Sequence, residues 1–94
     1  GCVKVDVKAS HLYSGKNGDF YCYGLAKPFA TCDAYILITL DDSANAEKFL
    51  IVPSKFVSSN KQISVGSVKS KYYKYADRWD YIKTMVDFWN EKVV

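Results

Sequence analysis

An acid and a lysine two residues apart, Asp6 and Lys8, are the residues whose types and spacing best suit a chemical reaction. Alternate residues of a β-strand leave the same face, so the two side chains would stand side by side with Cα atoms ~6.5–7 Å apart. A carboxylate can hold Mg²⁺, with the backbone carbonyl of Val7 as a further oxygen ligand, and a lysine can orient water or neutralise a phosphate. The pair therefore suits metal-dependent phosphodiester hydrolysis, and the alternative is a strand with a solvated charged face.

A second signal is a run of basic residues interleaved with tyrosines near the carboxyl end. Its cations are Lys69, Lys71, Lys74 and Arg78. Cations of this kind can follow a phosphate backbone, and tyrosine hydroxyls can donate to phosphates. The alternative is a solvated loop whose tyrosines fold onto the core, and both interpretations hold together if the rings are buried while their hydroxyls emerge.

Two smaller features carry less chemistry. His11 is the single histidine and follows the Asp6–Lys8 segment, where it could contact a phosphate or act as a base; the alternative is an ordinary surface residue. The adjacent acids Asp41 and Asp42 could hold a metal, but acids between two strands more often solvate a turn.

The composition is that of one globular domain. The chain has 94 residues and a net charge of +3, and 49% of its residues are hydrophobic. Its longest apolar run, residues 34–38, is far shorter than the about 20 residues that span a membrane. Membrane-spanning, fibrous and disordered classes are therefore excluded. Three cysteines without a CxxC spacing favour reduced thiols in a cytoplasmic protein.

Hydrophobic patterns predict five strands. Residues 3–9 alternate valines with charged residues, so we expect the valines to face the core and Asp6 and Lys8 to face outward. The turn residues at 14–18 would make the second strand an antiparallel neighbour of the first. The other predicted strands are residues 19–25, 33–40, 47–52 and 62–65, of which 33–40 is the most apolar and therefore central.

A single apolar stripe predicts a carboxyl-terminal helix. The stripe consists of Trp79, Ile82, Val86, Trp89 and Val93, at steps of three and four residues. Asp77 suits the N-cap of this helix. The predicted fold class is α/β: a mixed, largely antiparallel sheet with the helix packed on one face.

The order of these motifs resembles the PD-(D/E)xK (restriction-endonuclease-like) nuclease superfamily, most of all its small restriction-type and intron-associated members. The segment VDVKAS is followed by a Gly-rich turn, an aromatic strand DFYCY, the strand CDAYILITL and a strand that ends in IVPSK. The later segment KYADRWDYI is similar to the tyrosine–Asp–Trp segment that often closes such domains. The resemblance covers nearly all 94 residues and corresponds to the carboxyl-terminal portion of the fold.

The resemblance implies Mg²⁺-dependent hydrolysis of DNA, with Asp6 as the metal ligand and Lys8 as the motif lysine. Ser10 falls where such proteins often have a small polar residue, and we expect it to contact DNA together with His11 and the basic run. The family's other metal-binding Asp lies on the strand before the motif, whereas only five residues precede Asp6 and none is acidic. We therefore expect these residues alone to be incomplete or inactive, with DNA as partner and a homodimer compatible with the sequence.

A second interpretation keeps the fold without the chemistry. The chain would then be a non-catalytic domain that binds nucleic acid or a protein partner. Plasmid cleavage that depends on Mg²⁺ and on Asp6 separates the two.

Overall fold

The structure is a computed structural model that describes residues 2–25, 32–57 and 61–93. Within these residues it contains six strands, two 3₁₀ turns and one helix. The strands are β1 (Val5–Ser10), β2 (Leu12–Tyr13), β3 (Phe20–Gly24), β4 (Ala34–Leu40), β5 (Ala46–Pro53) and β6 (Gln62–Gly66). The 3₁₀ turns are Ser54–Phe56 and Lys71–Tyr75, and the helix α1 is Asp80–Val93.

The strands form two small sheets rather than the single sheet expected. Sheet A has the order β1-β4-β5, with β1 parallel and β5 antiparallel to the central strand β4. Sheet B has the order β2-β3-β6 and is antiparallel throughout. The prediction of an α/β chain with antiparallel-rich sheets and a carboxyl-terminal helix is confirmed, and so is the central place of β4.

The expected hairpin between the first two long strands is wrong. β1 pairs with β4, in a register that runs from Val5–Ala34 to Ser10–Thr39, and β3 pairs with β2 and β6. The turn itself is where its residues predicted it, because Gly18 adopts φ 118° and donates its N–H to the carbonyl of Gly15. It joins β3 to the two-residue strand β2, which forms immediately after β1.

The core lies between the two sheets and is rich in tyrosine. Each sheet contributes its inner face, and the second 3₁₀ turn closes one side with Tyr72 and Tyr75. Buried tyrosine needs a partner for its hydroxyl, and Tyr23 donates to the carbonyl of Ile38 across the two sheets at 2.9 Å. The other buried members of the core are Tyr21, Leu25, Tyr35, Leu37, Leu50, Val52, Val57, Ile63 and Val65.

β1 faces the opposite way from the sequence prediction. Val5 and Val7 lie on the outer face of sheet A, where Val7 is 55% exposed. Asp6 and Lys8 pair in register with Tyr35 and Leu37, so they lie on the inner face, toward sheet B. Alternation alone cannot decide which face is inward, and here the inner face is already filled by residues of β3, β4, β5 and β6.

The helix stripe does not enter the core as predicted. α1 begins at Asp80, so Asp77, which has φ 54°, is not its N-cap, and Trp79 lies before the helix. No described side chain of α1 is fully buried, and Val86 and Phe88 are exposed. The helix packs beside β5, and its Tyr81 packs against the core. Tyrosines of the second 3₁₀ turn fill the space that the stripe was expected to fill. No helix among the described residues is long and apolar enough to cross a membrane.

Candidate functional site

The Asp6 carboxylate and the Lys8 ammonium form an ion pair on the inner face of β1. Oδ2 of Asp6 and Nζ of Lys8 are 3.5 Å apart. The side chains of Asp6 and Lys8 are 43% and 33% exposed, whereas Ser10 at the far end of the strand is buried. The cover from sheet B therefore decreases along β1 toward Asp6, and both charged groups remain accessible to a ligand.

β1 is an edge strand of sheet A, and its free edge presents backbone groups. The carbonyl of Lys4 accepts from the N–H groups of Asp33 and Ala34, so it faces the β4 side. Backbone groups of successive residues alternate between the two edges of a strand, so the carbonyl of Val7 faces away from β4. The Asp6 carboxylate leaves the inner face of the same strand, one residue before the Val7 carbonyl.

These residues do not complete a Mg²⁺ site. Among the described residues, no three His, Cys, Asp or Glu side chains come together in a way that could hold a metal ion. Mg²⁺ takes octahedral oxygen ligation and usually one or two carboxylates besides waters and substrate phosphate. Asp6 and the Val7 carbonyl supply one carboxylate and one neutral oxygen, and the Lys8 ammonium at 3.5 Å opposes a second positive charge there.

The surroundings of Asp6 also include a thiol and a phenol. Burial, more than any other cause, raises the pKa of Cys32 and that of Tyr35, and the negative charge of Asp6 adds to both shifts. Both groups are therefore neutral at physiological pH. Cys2, Cys22 and Cys32 are all free thiols, as predicted, although Cys22 and Cys32 are only partly buried.

Ser10 and His11 have structural partners. The hydroxyl of Ser10 donates to the His11 carbonyl at 2.8 Å and accepts from the N–H of Cys22 at 3.0 Å, so it ties β1 to β3. Its burial argues against the expected contact with DNA. His11 is exposed, and its ring lies 4.3 Å from that of Tyr13, which in turn stacks on Phe20. His11 is thus open to solvent, and its ring packs beside Tyr13.

The adjacent acids Asp41 and Asp42 belong to a turn. Oδ1 of Asp41 accepts from the N–H groups of Ser43 and Asn45, both at 2.9 Å. This carboxylate organises the loop between β4 and β5, which agrees with the structural interpretation of these residues.

The basic run contains three exposed lysines and one arginine that is hydrogen-bonded to an acid. Lys69, Lys71 and Lys74 are exposed, while the neighbouring rings of Tyr72 and Tyr75 are buried. Arg78 makes two 2.9 Å hydrogen bonds to the Asp80 carboxylate, which raise the Arg78 pKa and lower that of Asp80. The three lysines thus remain open to a phosphate backbone, whereas Arg78 would first have to leave Asp80.

The candidate catalytic pair and the basic run lie at opposite edges of sheet A. Ala76, at the end of the run, bridges to Leu50 of β5, which is the edge strand farthest from β1. With neighbouring strands ~4.8 Å apart, the bridge lies roughly 14 Å from β1. The structure therefore brings Asp6 and Lys8 together but does not add the basic run to them.

A further basic cluster escaped the sequence prediction. Lys55 and the exposed Phe56 belong to the first 3₁₀ turn, and the Phe56 ring stacks on that of Tyr75 with centroids 6.0 Å apart. Phe56 thereby joins Lys71 and Lys74, which lie much later in the chain. Nζ of Lys55 lies 5.2 Å from the centroid of the Phe56 ring. The sequence shows Lys55 and Phe56 as neighbours shortly after Pro53. It gives no sign that Phe56 lies beside Lys71 and Lys74, because these residues are far apart along the chain.

No protein-family model, no curated protein and no solved structure matches this chain.

Proposed function

We propose that this chain carries the Asp-x-Lys strand of a PD-(D/E)xK-type nuclease that hydrolyses DNA phosphodiester bonds with Mg²⁺. The observation that supports the proposal best is the side-by-side placement of Asp6 and Lys8 on one strand, 3.5 Å apart and partly exposed. The sequence motifs that follow β1 along the chain support it independently of this distance. A restriction-endonuclease-like arrangement of the two sheets belongs to the same proposal.

Each residue then has a stated role. Asp6 would be the acidic ligand of the metal ion, and the Val7 carbonyl would be a second oxygen ligand at the free edge of β1. Lys8 would place its ammonium against the scissile phosphate, where a positive charge stabilises the charge that develops during hydrolysis. Among the described residues, no three His, Cys, Asp or Glu side chains come together here, so a further acid would have to complete the set of ligands around Asp6.

The proposal is tested by paramagnetic broadening with Mn²⁺, an ion of similar oxygen preference. In ¹H–¹⁵N spectra of the 94-residue chain, we expect the amides of Asp6, Val7 and Lys8 to broaden at millimolar Mn²⁺ and not in Asp6→Asn. Lys8→Gln should lower the Mn²⁺ concentration required, because it removes the ammonium 3.5 Å from the carboxylate. Asp42→Asn is the matched control and should leave this broadening unchanged.

Two outcomes contradict the proposal. One is broadening at Asp6 that persists in Asp6→Asn, since the broadening would then come from another group. The other is Lys8→Gln with no effect on the Mn²⁺ concentration, since that would mean that the ammonium does not face the metal-binding oxygen.

A second function is favoured by the exposed lysines of the second 3₁₀ turn. The chain would bind nucleic acid without hydrolysing it, as a domain in which Asp6 and Lys8 only neutralise each other. In this case DNA affinity falls steeply with salt, because bound phosphates release counterions, and Asp6→Asn changes neither the affinity nor its salt dependence. Mn²⁺ broadening specific to Asp6 would favour the nuclease instead.

A further inference from the structure

The second 3₁₀ turn and the first one together enclose a polar cavity of about 280 Å³. The described residues that line it are Phe56, Lys71, Tyr72, Lys74 and Tyr75. Two of them are lysines and none is an acid, so a negative ligand would meet positive charge without a competing carboxylate in the lining. The rest of the lining is aromatic. A cavity of this chemistry suits a ligand that carries both negative charge and a flat apolar ring.

The aromatic part of this cavity has an exposed ring. Phe56 is 56% exposed, although one side of its ring is supported by Tyr75. Tyr75 is itself buried, so the stack stands on the core and holds the Phe56 ring in place. A large apolar ring held at the surface in this way offers a platform on which another flat ring can stack.

The lysines already lie against these rings. Nζ of Lys74 lies 5.2 Å from the centroid of Tyr75, and Nζ of Lys71 lies 5.3 Å from that of Tyr72. Lys55, which is exposed, has its Nζ 5.2 Å from the centroid of Phe56. Lys55 and Lys74 therefore lie against the Phe56–Tyr75 stack, and Lys71 lies against Tyr72 in the lining of the same cavity. Lysines beside aromatic rings are the combination that proteins use to hold the backbone and the bases of a single strand.

We propose that this cavity binds single-stranded nucleic acid, with a base stacked on Phe56 and the flanking phosphates on Lys71 and Lys74 of its lining and on Lys55 beside Phe56. The choice of nucleic acid as the ligand rests on the proposed function. The stacking site itself does not depend on chemistry at Asp6. A duplex keeps its bases stacked on one another, so it can use the lysines but not the Phe56 ring. The cavity therefore favours an unpaired strand over a duplex.

The location of the cavity agrees with this role. Pro53, which precedes the first 3₁₀ turn, pairs with Ala34, and Ala34 pairs with Val5 at the start of β1. The turn thus follows sheet A at the end where β1 carries Asp6. β1 and β5 are two strand spacings apart, roughly 10 Å, a distance that a bound single strand can cross.

The test is fluorescence anisotropy with fluorescein-labelled decamers in EDTA, which prevents metal-dependent cleavage. The probes are dT10, rU10, an abasic decamer and a hairpin duplex. We expect dT10 and rU10 to bind more tightly than the abasic decamer and the duplex. Phe56→Ala should weaken dT10 binding about 5- to 150-fold, the range found when stacking rings are removed, and should leave abasic binding unchanged.

Matched controls come from the same chain. Phe88, which is 51% exposed on α1, is the control ring, and Phe88→Ala should change dT10 affinity less than about twofold. Phe56→Trp keeps a stacking ring at this position and should keep or strengthen dT10 binding. If it does, weaker binding by Phe56→Ala comes from lost stacking and not from a damaged fold. Replacing all three lysines with Gln should lower the log–log salt slope by about 2 in dT10. Replacing three exposed lysines elsewhere with Gln should leave that salt slope unchanged. These control lysines are Lys4, Lys16 and Lys61.

The outcomes separate this proposal from the nuclease proposal. If the duplex binds as well as dT10 and Phe56→Ala has no effect, the stacking site is refuted while a basic DNA surface survives. If a glutamate decapeptide binds as tightly as dT10, the cavity is a general anion surface and the proposal also fails. Asp6→Asn should not weaken dT10 binding here, so failure of metal binding at Asp6 does not refute the stacking site.

Discussion

The direction in which β1 faces decides whether Asp6 and Lys8 can form a site on the inner face of sheet A, and one substitution tests it. In the structure Val7 is 55% exposed on the outer face of sheet A, so Val7→Lys places an ammonium in water. Burying a whole valine side chain contributes roughly 1.5–3 kcal/mol, and a little under half of this one is covered. The methylenes of lysine recover part of that contact. We expect a loss of about 0.5–1 kcal/mol in the free energy of unfolding.

If Val7 faced the core instead, Val7→Lys would lower the free energy of unfolding much more. The substitution would then bury an ammonium without a partner and would lower the free energy of unfolding by several kcal/mol. That is a large part of the about 5–15 kcal/mol that stabilises a typical domain. Leu37→Ala is the control on the inner face, because Leu37 is fully buried and pairs with Lys8; we expect it to cost about 2–5 kcal/mol.

The assay is urea unfolding at 25 °C, monitored by circular dichroism. The free energies of unfolding of the variants are compared with one shared m-value. A loss above about 2 kcal/mol in Val7→Lys would refute the described orientation of β1. It would also remove Asp6 and Lys8 from the inner face, and with them the geometric support for the nuclease proposal.

Three further predictions follow from particular residues. Tyr23→Phe should lower the free energy of unfolding by about 1 kcal/mol in urea melts, because it removes the hydrogen bond to Ile38. Burial raises the Tyr23 pKa, so this tyrosine stabilises the fold below about pH 10 and loses that contribution as pH rises further; Tyr23→Phe should flatten the decline seen in melts above pH 10. Trp89→Ala should cost less than the about 3–5 kcal/mol of a fully buried ring, and a loss in that range would show that α1 docks more deeply. The 94 residues alone should cleave supercoiled plasmid negligibly with Mg²⁺, and robust cleavage that survives Asp6→Ala would contradict the proposed role of Asp6.

Local patterns predicted the elements better than their partners. Alternation located β1, the apolar run located β4, and Asn17-Gly18 located a turn, because these signals arise within a few residues. The pairing of β1 with β4 depends on a contact across many residues, and no local signal specifies it. The same limit explains why the first two long strands were assigned to one hairpin.

The core was mispredicted because tyrosine is ambiguous in sequence. Tyr72 and Tyr75 stand among lysines, so their pattern fits a surface loop as well as a core. Their rings nevertheless fill the space at the edge of sheet A, and the stripe of α1 then has little surface left to cover. Only the packed structure shows which of the two aromatic sets is buried.

The candidate site shows the same division between local and distant signals. The period of two along β1 predicted that Asp6 and Lys8 stand side by side, and they do, at 3.5 Å. Nothing in the run 69–78 pointed to Phe56, because its place beside Lys71 and Lys74 arises only when the chain returns to the end of β5.

The separation of the two places has a consequence for how they would act together. Asp6 and Lys8 carry the charges that hydrolysis needs but form no stacking surface, whereas the Phe56 cavity carries rings and lysines but no acid. The first 3₁₀ turn follows β5, which lies two strand spacings, roughly 10 Å, from β1. A strand held at Phe56 would therefore have to cross sheet A to reach the edge of β1. Substitutions at the two places should therefore act on different quantities: Phe56→Ala on the affinity for an unpaired strand, and Asp6→Asn on metal binding. A variant at either place that altered both quantities equally would mean that the two places are one site, and the separation across sheet A would then be wrong.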